Sequence, residues 1–381
     1  MSRASAVAAL AILLVAAVPA PARGNFDWLG KIEVAADELK AKDAKKRLDA
    51  VQQLAKFDIR WTRGHLLKAL RDPAPEVRRA AGRLLGSHGV KAAAPMVMQW
   101  LTEPDTDSRT AAAEILGQLG SKKAVPALIR ALGDPEDKVR VRAVSSLGDI
   151  GAKDAVIPLI GRLEDEKSAV RLAAVKALTE LGDSRAVVQL VGTFDDSSID
   201  IRNHAIRAVG KLGDQAAVPP LLRLLRDRVV RSAAAAALGD LAAIRAITPL
   251  IQALKTERSD NSYRALAATA LGRIAAKAKS GPNAKRSVAA LVAALADSHM
   301  RKAAREALRI AGPVAVPALI AHLQGKLAGD PETAVLLLRD FADPRATDAL
   351  VAELERGRLD RNLVLQALSK SGDERALVPI L

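Results

Sequence analysis

The chain has 381 residues, half of them apolar, with 58 Lys and Arg against 43 Asp and Glu and no cysteine. This length and composition predict a large buried core, and the lack of cysteine excludes disulfides, thiolate metal sites and a cysteine nucleophile. The formal net charge of +15 is compatible with acidic proteins, lipid headgroups or nucleic acid as partners, but it does not specify a fold.

The segment 1–22 has the pattern of a signal peptide. Arg3 precedes an apolar stretch at 6–18, and Ala20 and Ala22 supply the small residues that a cut after position 22 requires. The apolar stretch is shorter than the roughly 20 residues that span a bilayer as a helix. We therefore predict a bacterial protein that is exported to the periplasm or secreted, and whose mature chain does not span the membrane.

A regular repeat follows, with five consecutive units that begin at positions 71, 102, 133, 164 and 195 and align without a gap. An arginine column runs through the repeat at Arg47, Arg78, Arg109, Arg140, Arg171 and Arg202. Alanine and leucine columns run beside it at the same spacing. A fixed period of about 31 residues is the sequence signature of a repeat architecture.

Each unit predicts two helices. In the unit that begins at 133, Asp134 suits the cap of the first helix and Pro135 suits its first turn. Apolar residues then recur at helical spacing at Val139, Ala143, Leu147 and Ile150. We expect Gly148 and Gly151 to end this helix and a second helix to occupy about 154–163.

One pair of amphipathic helices cannot cover its own apolar face, whereas stacked pairs can. We therefore predict an all-α, right-handed α-α superhelix, a solenoid of HEAT/armadillo type, over residues 40–381. It would contain about ten or eleven helix pairs, with irregular repeats at 226–323, where the register slips. Residues 23–39 would form an N-terminal linker or cap.

The pattern Asp-x4-Val-Arg-x2-Ala-x3-Leu-Gly, followed by Ala-Val-Pro-x-Leu, resembles the short HEAT-like repeat named after phycobilisome lyases. The segments "DPEDKVRVRAVSSLGDIG" at 134–151 and "AVPALIRAL" at 124–132 match it best. The resemblance covers roughly residues 40–381. It implies a fold but no single activity, because scaffolds, lyases and hydroxylases share this repeat.

The same resemblance implies a ladder of ion pairs along the stack, between the arginine column and a column of aspartates near the helix starts. The aspartates are Asp72, Asp134, Asp165 and Asp196. We therefore interpret Arg140 as structural, with contact to an acidic partner as the alternative. Arg142, two positions along, would face solvent.

A basic insertion at 275–287 is the strongest candidate for partner binding. It contains Lys277, Lys279, Lys285 and Arg286 and no acidic residue, and the region 255–310 has 12 basic against 4 acidic residues. We expect an inserted loop, because insertions in solenoids emerge as loops on one face. The loop is interpreted either as solvated and disordered or as a contact site for an acidic partner.

The two ends of the chain raise separate expectations. Trp61 and Trp100 are predicted to fill the core of the first repeats, and the segment around Trp28 would cap the N-terminal edge or dock on a partner. The last residues are apolar and belong to an unfinished helix, which predicts either a longer chain or cover by another subunit: Leu377, Val378, Ile380 and Leu381.

Catalytic chemistry is not evident in the sequence. Hydroxylases built from similar repeats bind two irons through His-Glu pairs, but none of the five histidines here precedes a glutamate. We predict no metal site, no cofactor and no enzyme activity, with a hydroxylase- or lyase-related enzyme as a disfavoured alternative. Nucleic-acid binding is disfavoured by the signal peptide and by the few aromatic residues available for base stacking.

The function predicted from sequence is that of an exported, non-catalytic HEAT-repeat scaffold that binds another protein. The alternative of a different class is an anion-binding envelope protein, in which the basic region 255–310 contacts an acidic polymer or lipid headgroups. Anion binding of that kind weakens steeply with ionic strength.

Overall fold

A computed structural model describes residues 27–257 and 259–376 of the chain. The predicted signal peptide and the apolar C-terminal residues from Leu377 onward therefore lie outside the described residues. In the described ranges the chain forms α-helices and short 3-10 turns and no strand. The fold is an all-α solenoid of the HEAT/armadillo type.

The described residues divide into two compact units, the first of which ends at Leu181 and the second of which begins at Gly182. In the first unit the long first helices of successive repeats pack on one another, and each short second helix packs on the first helix that follows it. Its helices are α1 (Asp27–Glu38), α2 (Ala44–Leu54), α3 (Ile59–Ala69), α4 (Pro75–Ser87), α5 (Ala94–Trp100), α6 (Thr106–Gln118), α7 (Val125–Ala131), α8 (Asp137–Asp149), α9 (Val156–Ile160) and α10 (Ser168–Leu181).

The second unit repeats this arrangement with longer helices in its middle. Its helices are α11 (Val187–Gly192), α12 (Ile199–Leu212), α13 (Val218–Leu224), α14 (Arg231–Asp240), α15 (Ile247–Thr256), α16 (Asn261–Ala278), α17 (Gly281–Ala294), α18 (Arg301–Ala311), α19 (Val316–Leu323), α20 (Pro331–Phe341), α21 (Thr347–Arg356) and α22 (Arg361–Lys370).

The core is built from the alanine and leucine columns of the repeat. In the first unit the residues at these positions are buried: Ala81, Ala112, Ala143, Ala174, Leu85, Leu116, Leu147 and Leu178. Small residues between the first helices permit a close approach of their backbones, and leucines fill the space between the two helix layers.

Gly148 does not break its helix, contrary to the expectation from sequence, because α8 continues to Asp149. A Cβ at Gly148 would lie 3.1 Å from Cα of Ala177 in α10, so this glycine permits close packing between first helices. Gly151 has φ +70° and follows the end of α8, in the left-handed conformation that glycine adopts at low cost.

The N-terminal edge differs in part from the prediction. Trp100 is buried, but Trp61 is 55% exposed and its ring lies 5.2 Å from that of Trp28. The prediction that Trp61 fills the core is therefore wrong. Trp61 belongs to the first complete helix pair, which is followed by another pair on one side only, so its ring is only partly covered. Helix α1 buries Ile32 and packs against α2, so this segment covers the edge of the stack.

Residues Arg301–Leu323 have the length and apolar composition of a membrane-spanning helix. The backbone changes direction between α18 and α19 at Gly312, which has φ +72°. Both helices also bury their apolar residues against neighbours in the second unit, as with Leu308 and Leu319. The segment therefore has the surroundings of two core helices.

Candidate partner-binding surface

Arg140 is fully engaged within the repeat stack. Its Nε and Nη2 donate to the two carboxylate oxygens of Asp165, both at 2.9 Å, and its Nη1 donates to the backbone oxygen of Asp134 at 2.9 Å. Arg140 and Asp165 are only 6% and 8% exposed. A bidentate pair of this kind is specific and strong, and it leaves the guanidinium little capacity for another partner.

The arginines of the first unit take their carboxylate from the following repeat of the stack. Arg47 pairs with Asp72, Arg78 with Glu103 and Arg109 with Asp134, at 2.6 to 2.8 Å. The aspartate of the same repeat accepts through its backbone carbonyl instead, as Asp72 does from Arg78. Glu103 was not predicted, because the repeat pattern has aspartate at this position and Glu103 replaces it.

Other arginines take this role in the second unit, where the regular spacing fails. Arg231 and Arg264 lie 2.7 and 2.6 Å from Asp260 and Asp297, whereas Arg202 is 4.0 Å from Asp227. Sequence analysis missed Arg231 and Arg264 because it relied on constant spacing. Two further residues of the predicted ladder also contact the backbone. Arg171 donates to the carbonyl of Asp165, and Asp196 accepts from the N–H of Ser198.

The lowered pKa values of two paired carboxyls, Asp165 and Asp297, are consistent with a charged ladder. Burial raises the pKa of Asp165, but the hydrogen bond from Arg140 and others outweigh it, so the pKa lies below the ordinary 3.8. The hydrogen bond from Arg264 likewise lowers the pKa of Asp297. These carboxylates are ionised at neutral pH and already accept hydrogen bonds from arginines of the stack. The ladder therefore stabilises the fold and does not offer its charges to a partner.

The four basic residues predicted for partner binding differ from the ladder. Residues 261–296 contain six basic and no acidic side chains. Arg264 and Arg273 form ion pairs with Asp297 and Asp240. The other four are exposed and form no ion pair with any residue in 27–257 or 259–376; we call them the basic cluster: Lys277, Lys279, Lys285 and Arg286.

The predicted inserted loop is not a loop. Helix α16 continues to Ala278, a two-residue connection follows at Lys279 and Ser280, and α17 begins at Gly281. The inserted residues lengthen two helices because the segment is rich in alanine, the best helix former. Lys279 has φ +54° and ψ −37°, a conformation that a residue with a side chain rarely adopts.

A cleft of about 340 Å³ lies between α17 and the residues that begin α19. Its apolar lining consists of Ala284, Val288, Ala289, Val314, Pro317, Ala318 and Leu327. Lys279, Lys285 and Arg345 contribute the charged part of the wall, and no acidic residue of the described ranges lines it. The structure thus brings two of the four predicted residues together beside an apolar surface, which we call the α17–α19 cleft.

The other two residues of the basic cluster lie elsewhere. Lys277 lines a more open hollow of about 550 Å³, together with Arg245 and the 55% exposed Ile244. Arg286 donates to the hydroxyl of Thr248 at 3.1 Å and lines neither concavity. Three residues of the basic cluster therefore line two concave surfaces of the second unit, and Arg286 lies outside both.

Apolar residues of both surfaces escaped the sequence analysis. Pro317 belongs to the Ala-Val-Pro segment at 315–317 that the repeat pattern assigns to the core, and Val314 directly precedes it, yet both contribute to the cleft wall. Ile244 was overlooked for the same reason. Exposed apolar residues at the start of second helices would have been the signal, but periodicity alone does not separate them from core positions.

Residues that could hold a metal ion do not come together in the part of the chain that the structure describes: no group of three or more His, Asp or Glu has suitable geometry. His322 is buried and its Nδ1 lies 2.7 Å from the carbonyl oxygen of Leu327. That contact holds the ring of His322, in the last turn of α19, against the loop that follows the helix.

The repeats match a known family. A sequence profile of HEAT repeats matches residues 64–140, 125–201 and 192–272, more than half of the chain. No match is found among curated proteins.

Several solved structures are similar to the chain. The complex of CpcE and CpcF of phycocyanin lyase from Nostoc sp. PCC7120 is 28% identical and covers 55% of this chain and 86% of that one, with a TM-score of 0.37. Two structures of importin beta are 15% identical, cover 91% and 92% of this chain and 57% and 60% of theirs, and have TM-scores of 0.54 and 0.56. At that identity the likeness to importin beta shows the solenoid fold alone. On its repeats, its fold and the profile match, the chain belongs to the HEAT-repeat family.

Proposed function

We propose that the mature chain is an exported, non-catalytic scaffold that binds an acidic protein partner through the basic cluster and the concave surfaces beside it. A HEAT-repeat fold fits a role in protein–protein interaction in general. The observation that carries the proposal is a contrast between two sets of cations. The arginines of the ladder are paired and are buried or half-buried, whereas the four cations of the cluster are exposed and form no ion pair within the described residues.

Exposed cations at the edge of apolar concavities suit a protein partner. Solvated lysines contribute little to folding, so their concentration at one connection is not required by the fold. They steer an acidic partner to the surface, and the apolar residues beside them supply area that becomes buried on association. The pattern of residues 1–22 supports export.

A capture experiment from native envelope extract tests the proposal. Mature protein from Arg23 onward is the bait, beside a variant in which the four residues of the basic cluster are changed to Glu. The matched control changes four exposed lysines near the starts of second helices in the first unit: Lys91, Lys122, Lys123 and Lys153. Both variants alter the net charge equally, so general charge effects cancel.

We expect one protein to be captured by the wild type and by the control and lost by the cluster variant. Capture should also weaken from about 0.05 M to about 0.5 M salt, because exposed charges are screened. Equal capture by all three baits would contradict a role for the cluster. Retention on anionic vesicles with no protein captured would instead support the anion-binding alternative.

A further inference from the structure

We propose that the α17–α19 cleft binds a peptide segment that combines carboxylates with apolar side chains. This inference rests on the proposed function and specifies the chemistry of the partner at one part of the surface. The cleft, not the basic cluster as a whole, would then determine which acidic proteins bind.

The apolar lining requires an apolar group in the ligand. Val314, Ala318 and Leu327 are half-buried and Pro317 is exposed, so hydrocarbon of the cleft wall is in contact with water, whereas Val288 and Ala284 are already buried. Covering such a surface with an apolar side chain removes hydrocarbon from water, which favours binding. A purely polar anion would leave this part of the cleft unused.

The charges of the cleft require carboxylates beside that apolar group. Lys279 and Lys285 have no ion-pair partner in the described residues. Arg345 is already engaged, because its Nη2 donates to Asp343 at 2.6 Å and to the carbonyl of Pro313 at 3.2 Å. The uncompensated charge of the cleft is therefore that of the two lysines, and two carboxylates would neutralise it.

The connection between α16 and α17 fixes the position of Lys279 beside the cleft. Only two residues join the helices, and Lys279 has the unfavourable φ of +54°. Residues held in such conformations persist where the surrounding structure determines them, and they concentrate at functional sites. A short connection between two long helices fixes the backbone of Lys279, so that ordering on binding is confined to the side chain.

The dimensions of the cleft favour a peptide over a membrane surface. Its volume of about 340 Å³ is at the lower end of the range of about 300–1000 Å³ found for ligand sites, so it accommodates a few side chains. A flat anionic surface would contact the exposed cations of the cluster together. A peptide in the cleft contacts Lys279 and Lys285 but not Lys277 and Arg286.

Fluorescence anisotropy with three synthetic peptides tests the inference. The first is fluorescein-labelled Gly-Glu-Leu-Asp-Leu-Glu-Gly, the second replaces both leucines by serine, and the third replaces the acidic residues by their amides. The proteins are the wild type, Lys279→Glu/Lys285→Glu, the cleft-filling Ala318→Trp, and the control Lys277→Glu/Arg286→Glu. Circular dichroism melts verify that each variant is folded.

We expect the first peptide to bind the wild type and the control, and to bind both cleft variants about tenfold or more weakly. The lysine variant loses bonds to charged groups, each worth roughly that factor, and the side chain introduced by Ala318→Trp occupies the space that the apolar side chain of the peptide needs. The serine and amide peptides should also bind more weakly. Equal losses of affinity in the control Lys277→Glu/Arg286→Glu and in the variant Lys279→Glu/Lys285→Glu would overturn the inference. Tighter binding to phosphatidylglycerol vesicles than to any of the three peptides would also overturn it.

The outcomes separate this inference from the proposed function. If envelope capture depends on the basic cluster but peptide binding ignores the cleft, the scaffold proposal stands and the cleft inference fails. If the first peptide binds in the cleft but no protein is captured from the envelope, the cleft chemistry stands and the scaffold proposal fails.

Discussion

Gly239 in α14 faces Ala270 in α16 so closely that a Cβ at Gly239 would lie 2.7 Å from Cα of Ala270. Gly210 is equally restricted, with a Cβ position 2.9 Å from Cα of Ala237. The neighbouring atom is backbone in both cases and cannot rotate away. The Leu-Gly step of the repeat therefore sets the distance between successive first helices.

We predict that Gly239→Ala lowers the free energy of unfolding by about 1–3 kcal/mol, the usual cost of overpacking. The matched control is Gly64→Ala in α3, where the added methyl group meets no atom of the described residues within 4 Å, apart from its chain neighbours and its own helical backbone. That change should stabilise by roughly 0.5–1 kcal/mol, because alanine is the better helix former. Urea unfolding of both variants measures the difference, and similar midpoints would contradict the close-packing role.

The bidentate pair between Arg140 and Asp165 should be a major determinant of stability. Arg140→Met removes the bidentate partner of the buried Asp165 and leaves Arg162, whose Nη1 is 3.5 Å away, as the remaining ion-pair partner among the described residues. We expect a loss of about 3 kcal/mol. Arg142→Met, two positions along on an exposed site, should change stability by no more than about 0.5 kcal/mol. Equal effects in thermal unfolding would mean that the ladder contributes no more than a surface charge.

Asp165 should also couple stability to acid. Its pKa is below 3.8 in the folded chain, so the unfolded chain binds more protons in that range. The stabilisation by the ion pair is complete above about pH 4 and is lost as the pH falls through the folded pKa. The stability difference between wild type and Asp165→Asn should shrink from pH 5 to pH 2, and a constant difference would contradict the linkage.

Two helix ends differ in whether the left-handed residue is alanine or glycine. Ala342, just after α20, has φ +50°, whereas Gly151 at the end of α8 has φ +70°. The left-handed region costs an L-residue about 1 kcal/mol. Ala342→Gly should raise the free energy of unfolding by roughly 0.5–1 kcal/mol, and Gly151→Ala should lower it by a similar amount. Thermal unfolding detects these changes as a higher and a lower melting temperature. A decrease for Ala342→Gly would contradict the assigned backbone conformation.

The sequence predicts the fold well because the repeat period itself encodes the packing. Buried columns such as Leu85 to Leu178 recur once in every repeat, and they can be covered only by stacking. The sequence predicted most residues of the ladder but not which residues pair. Alignment of the repeats shows which residues recur, but it does not show that Arg140 pairs with Asp165 of the following repeat.

The candidate surface was predicted only in part. Lys279 and Lys285 were selected by charge, but their segment was expected to be a loop. The alanine content of this segment favours helix up to the connection at Lys279. The inserted residues therefore extend two helices and do not form the loop that was expected. Val314 and Pro317 escaped notice because their environment depends on α17, whose position the repeat period does not specify.

Site-specific photo-crosslinking in cells that naturally produce the protein tests the central claim most directly. A benzophenone amino acid is placed at Ala318 in the α17–α19 cleft or at the exposed control position Ala92 in the first unit. We predict one crosslinked protein at Ala318 that is absent at Ala92 and is lost when Lys279 and Lys285 are changed to Glu. Identical crosslinks at both positions, or crosslinks at Ala318 that persist without the two lysines, would contradict it.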